Sequence, residues 1–373
     1  MRIALFCHSL LSDWNHGNAH FLRGIVAELR ARGHEVVAHE PRAGWSRTNL
    51  LADGGQAAVD EIRAAFPWMD EVVEPYEDPL ALDVDRALDG TDLVLVHEWS
   101  APELVARIGE RRAAGGSFRL LFHDTHHRAV SAPEEMARFD LRHYDGVLAF
   151  GEVIRRIYLD RGWCARAWTW HEAADTRVFR PPAQEVAPRG ELVWVGNWGD
   201  GERNRELREF LLAPARRLRL GGTIHGVRYP RRARWAIRLA GLRYGGRLAN
   251  HRAPAAFAAH RVTVHVPRRP YVEALPGIPT IRPFEALACG IPLVSAPWED
   301  AEGLFRPGAD YLVARDGEDM VRQLRAVLGD RELAAALARS GLETIAARHT
   351  CAHRVDELLE ICCELSVADA VLA

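Results

Sequence analysis

Short apolar runs alternate with helical patterns along the first half of the chain. Residues 2–8, 35–39, 71–73, 92–97, 119–123 and 146–150 predict a sheet of about six strands. Between them lie amphipathic segments such as residues 19–32, whose apolar side chains fall on one side of a helix. Near-continuous apolar strands separated by helices indicate a parallel sheet covered on both faces.

The same alternation restarts after a proline-rich stretch. Strands are predicted at residues 191–195, 222–226, 262–266, 291–294 and 310–313, and helices at 205–218, 318–328, 331–348 and 353–366. We therefore predict two doubly wound, Rossmann-like domains: residues 1–175, a linker at 176–190, residues 191–348, and a final helical segment at 349–373. The strand carboxyl ends of the two domains are expected to face each other across a ligand-binding cleft.

Composition narrows the class of protein. The net charge of −3 argues against nucleic acid as the main partner, and there is no apolar stretch of 18 residues, so at most peripheral membrane contact is expected. The six cysteines lack C-x-x-C spacing, which favours a reducing cytoplasm. All 48 basic residues are arginine. A P-loop or a Schiff-base lysine is therefore excluded, and phosphate contacts must come from arginine, backbone amides or hydroxyls.

The stretch 280–295 is the most informative part of the sequence. A helix begins near Thr280 and Ile281, and a glycine followed by a proline ends it before the next strand. Arg282 and Glu285 are three residues apart, so they share one face of the first turn. Helix N-termini in α/β proteins hold anionic or polyhydroxylated ligands, so these four residues form a candidate ligand site.

A glycine-rich loop opens the predicted second domain. Gly196 and Asn197 follow its first strand, and Arg203 precedes its first helix. Glycines and arginines at such a position favour a diphosphate-binding loop. A flexible surface loop is the alternative.

The loop after the first strand of the chain offers a second candidate surface. It lacks the G-x-G-x-x-G pattern, which disfavours a dinucleotide-dependent oxidoreductase. Asp13, His16 and Gly17, with His20 nearby, are candidates to contact a hydroxyl-bearing ligand. A simple loop glycine is the plainer interpretation of Gly17.

His123 and Asp124 end a predicted strand, and His126 and His127 follow them. The spacing does not match a known zinc motif, so a metal site is disfavoured. A hydrogen-bonding or acid–base role for His123 and Asp124 is the favoured interpretation, and a purely structural histidine is the alternative.

Two further patterns carry weaker signals. Asp83 and Asp85 have the spacing of metal-binding D-x-D motifs, but without a flanking strand they fit a surface segment. The arginine run at 228, 231, 232, 234 and 238 is typical of a solvated face, and contact with an anionic lipid or an acidic acceptor is the alternative.

Together these residues resemble the GT-B glycosyltransferases, and within them the GT4-like group. The stretch from Arg282 to Gly290 is similar to the donor-site segment of that group, and residues 303–313 resemble the segment that follows it. The nearest likeness is to the CgeB/YkvP-type glycosyltransferases. The resemblance implies a metal-independent hexosyltransferase whose Glu285 binds a nucleotide ribose, and whose His123 lies near the donor sugar. It also implies a last helix that returns to the first domain.

The chain departs from that pattern at two positions. Gly277 stands where the group has a second glutamate, and Asn197 stands where it has an arginine. The sugar and the stereochemistry are therefore open. We expect a nucleotide diphosphate-sugar donor, no further cofactor, and a glycan, lipid or small-molecule acceptor. A nucleotide-sugar epimerase and a non-catalytic binding or scaffold protein are the alternatives.

Overall fold

The computed structural model describes residues 1–184, 186–199 and 201–372, with side chains to residue 367. The predicted linker, residues 176–190, and the predicted final segment, residues 349–373, each include one position outside that range. The chain divides into two compact units. The first comprises Met1–Glu172 with Cys351–Ala373, and the second comprises Ala173–Thr350.

The first unit is built on a seven-stranded sheet in the order β3-β2-β1-β4-β5-β6-β7, in which all neighbouring strands are parallel. The central strands are buried except at Arg2, the first residue of β1, as their continuous apolar sequences require. The strands are β1 (Arg2–Phe6), β2 (Glu35–Pro41), β3 (Val73–Tyr76), β4 (Leu93–His97), β5 (Arg119–Asp124), β6 (Gly146–Ala149) and β7 (Ala167–Thr169).

Eight helices connect these strands within the described residues. The longest is interrupted at Gly55, whose φ of 63° is not helical. The helices are α1 (Ala19–Ala31), α2 (Trp45–Ala65), α3 (Met69–Val72), α4 (Val84–Leu88), α5 (Pro102–Ala113), α6 (Arg128–Ser131), α7 (Pro133–Met136) and α8 (Glu152–Asp160).

The second unit has a six-stranded parallel sheet in the order β10-β9-β8-β11-β12-β13. Its apolar core lies on both faces of β8 and β11. The strands are β8 (Gly190–Val195), β9 (Gly222–His225), β10 (Arg243–Gly246), β11 (His260–His265), β12 (Leu293–Ser295) and β13 (Leu312–Val313).

The first helical segment of the second unit, residues 204–218, is irregular, because a π-helical segment, Arg208–Leu212, interrupts it. Further along the chain, a 3-10 turn, Asn250–Arg252, directly precedes the helix Ala253–Ala258. The helices are α9 (Asn204–Leu207), α10 (Ala213–Leu218), α11 (Arg231–Leu239), α12 (Ala253–Ala258), α13 (Arg269–Ala274), α14 (Ile281–Ala288), α15 (Gly317–Gly329) and α16 (Arg331–Arg348).

The last helix, α17 (Cys351–Leu372), returns to the first unit and packs against α1. Trp170, which is buried, donates its indole N–H to the backbone oxygen of Arg354 at 2.8 Å. Arg32 at the end of α1 donates to the backbone oxygen of Ala352 at 3.1 Å and pairs with Asp356 at 2.5 Å. The predicted return of the final helix is confirmed.

The predicted fold class is confirmed, with local errors. Residues 71–73 were predicted as a strand, but residues up to Val72 belong to α3 and the strand begins at Val73. The six-strand count for the first sheet was low, because the three-residue strand β7 is too short to show a periodicity. The predicted helix at 205–218 is correct in extent, but the π segment breaks its regularity.

Each sheet reverses its strand order at one point. In the first sheet the reversal lies between β1 and β4, and in the second it lies between β8 and β11. Loops leaving neighbouring parallel strands diverge at such a switch point, which opens a crevice at the strand carboxyl ends. The candidate residues of both units lie around these two switch points, at the edge of each sheet that is formed by the carboxyl ends of its strands.

Candidate functional site

The loop that follows β8 is closed by the side chain of Arg203. Its Nη2 donates to the backbone oxygen of Asn197 at 2.9 Å and to the Oδ1 of the same residue at 2.7 Å. Its Nη1 donates at 3.0 Å to the backbone oxygen of Val266, just beyond β11. One guanidinium therefore joins the two strand ends at the switch point. Its Nε is buried without a partner among the described residues, which leaves one donor unused.

The glycines of this loop make room for that arginine. A Cβ added to Gly199, whose φ is +88°, would lie 2.5 Å from the Cγ of Arg203. A Cβ added to Gly196 would lie 2.7 Å from the ring of Trp194, over which the Arg203 guanidinium is stacked at 5.1 Å. The predicted loop residues Gly196, Asn197 and Arg203 are thus brought together. The glycines serve a close packing that their spacing alone did not reveal.

Positive charge is concentrated at this edge of the second sheet. Burial, together with the charges of Arg268 and Arg282, lowers the pKa of Arg203 to about 9. Arg268 pairs with Glu202 at 2.7 Å and also donates to Asn197 at 3.2 Å. Three guanidinium groups near one crevice favour a ligand with more than one negative charge.

Helix α14 begins beside this cluster after a strained residue. Thr280 has φ 63° and ψ 179°, a conformation that is almost confined to glycine. Arg282 donates to the Oε2 of Glu285 within the first turn, and Glu285 is fully buried. The predicted pair on one helical face therefore exists as an ion pair, which fixes the direction of the carboxylate. Ile281, the first helical residue, is also buried.

His265 belongs to this site, and sequence reasoning missed it. Its Nδ1 lies 2.9 Å from the Oγ of Ser295 and donates to it, because that hydroxyl itself donates to the oxygen of Ala296 at 2.7 Å. Burial, together with the charges of Arg203 and Arg282, lowers the pKa of His265 to about 3. The ring is therefore neutral. Its place at the end of a predicted strand was the available signal.

Gly277 has a structural explanation. Its φ is +89°, and an added Cβ would lie 2.7 Å from both the Cγ and the Oε1 of Glu302. Its backbone N–H donates to the oxygen of Glu299 at 2.7 Å. A glutamate at position 277 is thus disfavoured by the backbone conformation, and the side chain of Glu302 occupies the space that it would enter.

The switch point of the first sheet is lined by histidine and tryptophan rings. His8, directly after β1, contacts His16 at 4.9 Å between ring centroids, Trp99 at 5.9 Å and Trp45 at 6.4 Å. Trp45 and Trp99 are exposed by 47% and 41%. Burial lowers the pKa of His8 to about 4, so the ring is neutral near pH 7. Two exposed indoles beside a neutral imidazole form a surface for a flat or weakly polar ligand.

The predicted residue His123 lies deeper at the same edge. Its ring is 5.1 Å from that of His97 and 4.8 Å from that of Trp170. Burial lowers the pKa of His123 to about 3, and its buried Nε2 has no partner among the described residues. A neutral ring with an unused nitrogen can donate or accept a hydrogen bond, but it is a weak base.

Asp124 is held in a buried polar network. Its Oδ2 accepts from the hydroxyl of Tyr158 at 2.9 Å, and its Oδ1 accepts from the backbone N–H of His126 at 3.0 Å. Burial and the charge of Glu98 raise the pKa of Asp124 well above its usual range. Glu98 itself pairs with Arg128 at 2.9 Å. These contacts favour a positioning role for Asp124, and its predicted catalytic role stays a prediction.

The loop after β1 is fixed by buried charges. Glu40 accepts from the backbone N–H of Leu10 at 2.6 Å, and Arg23 donates to the oxygen of Leu10 at 2.8 and 2.7 Å. Asp13 pairs with Arg23 at 3.4 Å, and both side chains are buried. The contact to Arg23 gives Asp13 a structural task that its sequence position did not show.

The rest of that loop turns polar atoms inward. Asn15 has a left-handed φ of 48°, and Gly17 lies in the turn that leads to α1. The buried Nε2 of His16 and both amide atoms of Asn18 have no partner among the described residues. Unsatisfied buried polar atoms are costly unless a ligand or water meets them, so Asn18 joins His16 as a candidate contact.

The D-x-D pattern of Asp83 and Asp85 has a plain explanation. Asp83 caps α4 by accepting from the backbone N–H of Arg86 at 3.1 Å, and Asp85 pairs with Arg111 at 2.5 Å. The surface interpretation of this D-x-D pattern is therefore correct. Across the described part of the chain, no group of three histidine, cysteine or acidic side chains is arranged to hold a metal ion.

Comparisons with known proteins agree with this architecture. A family model described as "Glycosyl transferase-like" matches residues 203–360, which include the arginine cluster and α14. No curated protein sequence matches the chain.

Solved structures resemble the chain over nearly its whole length. Sucrose-phosphate synthase from Thermosynechococcus elongatus is 16% identical, with a TM-score of 0.68 over 99% of this chain and 100% of that one. Anabaena Alr3699/HepE in complex with UDP-glucose is 13% identical, with a TM-score of 0.67 over 96% and 99%. An alpha-glucosyltransferase in complex with UDP and a 13-mer DNA is 14% identical, with a TM-score of 0.70 over 97% and 99%.

These likenesses show the GT-B glycosyltransferase fold, and together with the family model they support sugar transfer. They do not single out the CgeB/YkvP-type subgroup, which stays a prediction. Nor do they identify the donor or the acceptor.

Proposed function

We propose that this protein is a glycosyltransferase that moves a sugar from a nucleoside diphosphate-sugar to an acceptor. The observation that carries the proposal is the arginine cluster at the switch point of the second sheet, next to the ion pair of Arg282 and Glu285. In Anabaena Alr3699/HepE, a protein of the same fold, UDP and UDP-glucose are the bound ligands.

The arginines suit a diphosphate leaving group. When the bond between the sugar and the diphosphate breaks, negative charge develops on the departing oxygen. The unused Nε–H of Arg203 and the charge of Arg282 would stabilise it with little reorganisation. Charge that arginines supply does not require a divalent cation, and we expect transfer to continue in the presence of a chelator.

Glu285 is proposed to bind the nucleotide ribose. An ionised carboxylate accepts hydrogen bonds from two neighbouring hydroxyls, and the ion pair with Arg282 holds it in one orientation. Replacing Glu285 by glutamine keeps the shape but removes one acceptor position and the ion pair. We expect about a 100-fold loss of nucleoside diphosphate affinity, the loss typical of a charged hydrogen bond to a ligand.

The measurement is isothermal titration calorimetry with UDP, GDP and ADP, followed by thermal shift with their sugar derivatives. Glu318→Gln is the matched control, because Glu318 also pairs with an arginine of the second unit but lies at the surface. Full affinity in Glu285→Gln would overturn the ribose assignment. No binding of any nucleoside diphosphate to the wild-type protein would overturn the proposed function.

Glu302 is proposed to provide the sugar-contacting carboxylate that position 277 lacks. Its side chain fills the space where a side chain of residue 277 would begin. A carboxylate delivered from the loop after β12 can accept hydrogen bonds from sugar hydroxyls as one from residue 277 would.

The test separates sugar binding from nucleotide binding. We expect Glu302→Gln to weaken the nucleoside diphosphate-sugar by roughly tenfold and to leave the free nucleoside diphosphate unchanged, since only the sugar loses a hydrogen-bond acceptor. Glu299→Gln, on the same loop, is the control. Equal weakening of both ligands by Glu302→Gln would contradict this role.

The acceptor is proposed to bind the first unit at its histidine and tryptophan edge. His123 would then position the sugar, whereas proton removal in an inverting reaction would need a stronger base than His123 or His16, because burial lowers the pKa of both rings. Product analysis distinguishes the alternatives. A changed sugar without an acceptor would indicate an epimerase, and tight donor binding without turnover against any acceptor would indicate a binding protein.

A further inference from the structure

Helix α11 presents an apolar stripe to solvent on the second unit. Ala233 and Ile237 face the core, whereas Trp235 and Leu239 point outward with 65% and 69% of their surface exposed. These two residues are four apart, so they lie one above the other on the same face. Exposed tryptophan and leucine at such adjacent positions are unusual on a solvated helix.

Arginines flank this stripe on both sides. Arg231 and Arg238 lie along one border and Arg232 along the other, and all three are exposed. They make no ion pair or side-chain hydrogen bond within the described residues. The surrounding sequence also offers no acidic partner: residues 210–272 contain 14 arginines and no aspartate or glutamate. The positive charge of this face is therefore not neutralised locally.

A groove of about 620 Å³ lies beside the stripe, where α11 meets the edge strand β10. Arg234 is oriented there by donating to the oxygen of Tyr229 at 3.1 Å and by stacking over Tyr244 at 4.9 Å. Arg243 donates to Thr223 at 3.2 Å. The groove is lined by Gly222, Arg234, Arg238, Gly241, Leu242, Arg243 and Tyr244. Three fixed or flanking guanidinium groups make it suitable for a phosphate-bearing headgroup.

The apolar stripe and the arginines together distinguish three possible environments of α11: water, a nucleic-acid backbone and an anionic bilayer. A solvated face explains the arginines but not the exposed Trp235 and Leu239. A nucleic-acid backbone would satisfy the arginines, yet it offers no apolar phase to a leucine. An anionic bilayer satisfies both, because the apolar stripe enters the acyl boundary while the flanking arginines reach the headgroups.

We propose that α11 docks this protein onto a membrane surface that contains anionic phospholipids, with a headgroup phosphate in the adjacent groove. Contact is peripheral, since none of the helices in the described residues is long and apolar enough to cross a bilayer. The inference is independent of the proposed sugar transfer. It changes the expectation drawn from the arginine run, for which the sequence favoured a solvated face.

The experiment is co-sedimentation of the full chain with two sets of vesicles, one of phosphatidylcholine alone and one of phosphatidylcholine mixed with phosphatidylglycerol. We expect binding only to the second set, and loss of that binding at high salt. The triple variant Arg231→Gln, Arg232→Gln, Arg238→Gln should weaken binding on the order of 100-fold. The variant Leu239→Ser should weaken binding by roughly tenfold through lost apolar contact.

Matched controls come from exposed positions elsewhere. The triple variant Arg325→Gln, Arg331→Gln, Arg339→Gln removes the same charge from α15 and α16, and Leu80→Ser removes an exposed leucine from the first unit. Both should bind vesicles as the wild type does. Circular dichroism confirms that every variant is folded.

Three outcomes would overturn the proposal. The first is no binding to anionic vesicles, and the second is an equal loss of binding in the α11 variants and their controls. The third is tighter binding of the full chain, through α11, to duplex DNA than to anionic vesicles, which would assign this surface to nucleic acid.

Discussion

The two sheet edges of this molecule are built from opposite chemistry at equivalent places in the topology. At the switch point of the second sheet, Arg203, Arg268 and Arg282 gather positive charge around the neutral ring of His265. At the switch point of the first sheet, the rings of His8 and of two exposed tryptophans form the surface, and the guanidinium of Arg128, which stacks over Trp99 at 4.1 Å, is paired with Glu98. The same βαβ construction therefore gives one edge rich in guanidinium groups and one rich in aromatic rings.

In open α/β sheets the strand order determines where a ligand binds, whereas the residues after the strands determine which one. A sugar donor has a diphosphate, and a hydroxyl acceptor has no charge to neutralise. The division of the two edges fits that difference. It also makes the two edges separable by experiment.

The largest effect is expected when a positive charge is removed from the arginine cluster at the switch point of the second sheet. Arg203→Met removes the guanidinium that links the ends of β8 and β11 and contributes charge to the crevice. We expect nucleoside diphosphate affinity to fall by about 100-fold or more, comparable to the loss of a buried charged donor. Calorimetry measures the affinity, and thermal melting reports any loss of folded protein.

Two further variants sharpen this test. Arg203→Lys keeps the charge but lacks the planar guanidinium whose two separate nitrogens reach Asn197 and Val266, and it should bind with intermediate affinity. His123→Ala, at the other edge, should reduce transfer but leave nucleoside diphosphate affinity unchanged. If the two edges proved equally important for diphosphate binding, the proposed division between them would be wrong.

A second prediction concerns pH. Burial lowers the pKa of His123 to about 3 and that of His97 well below 6.5, so both rings stay neutral in the folded protein. Below pH 6.5 the unfolded chain binds protons at these residues and the folded chain does not. These histidines therefore do not reduce the free energy of unfolding above pH 6.5. Below pH 6.5 that free energy falls with decreasing pH, by up to about 1.4 kcal/mol per pH unit for each buried histidine.

The measurement is hydrogen exchange by mass spectrometry between pH 7.5 and 5. Protection in β4 and β5 should fall with acid more steeply than protection in β8, because the first edge holds more buried neutral histidines. The double variant His97→Gln, His123→Gln should flatten that fall, and His143→Gln, at the surface, should not. Equal acid sensitivity of both sheets would contradict the comparison.

The smallest expected effect comes from backbone strain. Thr280 adopts a conformation that glycine accepts without cost, so Thr280→Gly should raise the free energy of unfolding by about 1 kcal/mol. Asn15→Gly in the first unit should give a smaller gain, since asparagine tolerates the left-handed region. Urea denaturation measures both. Destabilisation by Thr280→Gly would show that the threonine side chain contributes more than its strain costs.

Local sequence patterns were sufficient to predict most of the fold and one helix of the candidate site, α14. Apolar runs gave the long strands because buried parallel strands need continuous hydrophobic sequence. The turn after Ala288 follows from Gly290, and the Arg282–Glu285 pair follows from helical spacing. Such features depend on neighbours in sequence.

Features that depend on distant contacts were not accessible in this way. The bridge from Arg203 to Val266 joins residues that only the β8–β11 pairing brings together. The network around Asp124 requires Glu98 and Tyr158 from other elements. The reason for glycine at position 277 became apparent only with Glu302 placed against it.

The return of α17 has a consequence for the order in which the protein folds during synthesis. Residues 173–350 form one continuous unit, so the second unit can fold as soon as it leaves the ribosome. The first unit is completed later, because the face of α1 that contacts α17 and the indole N–H of Trp170 stay uncovered until residues 351–367 emerge. Throughout that interval an apolar helix face is open to solvent. The unit that is translated first is therefore the last to be completed.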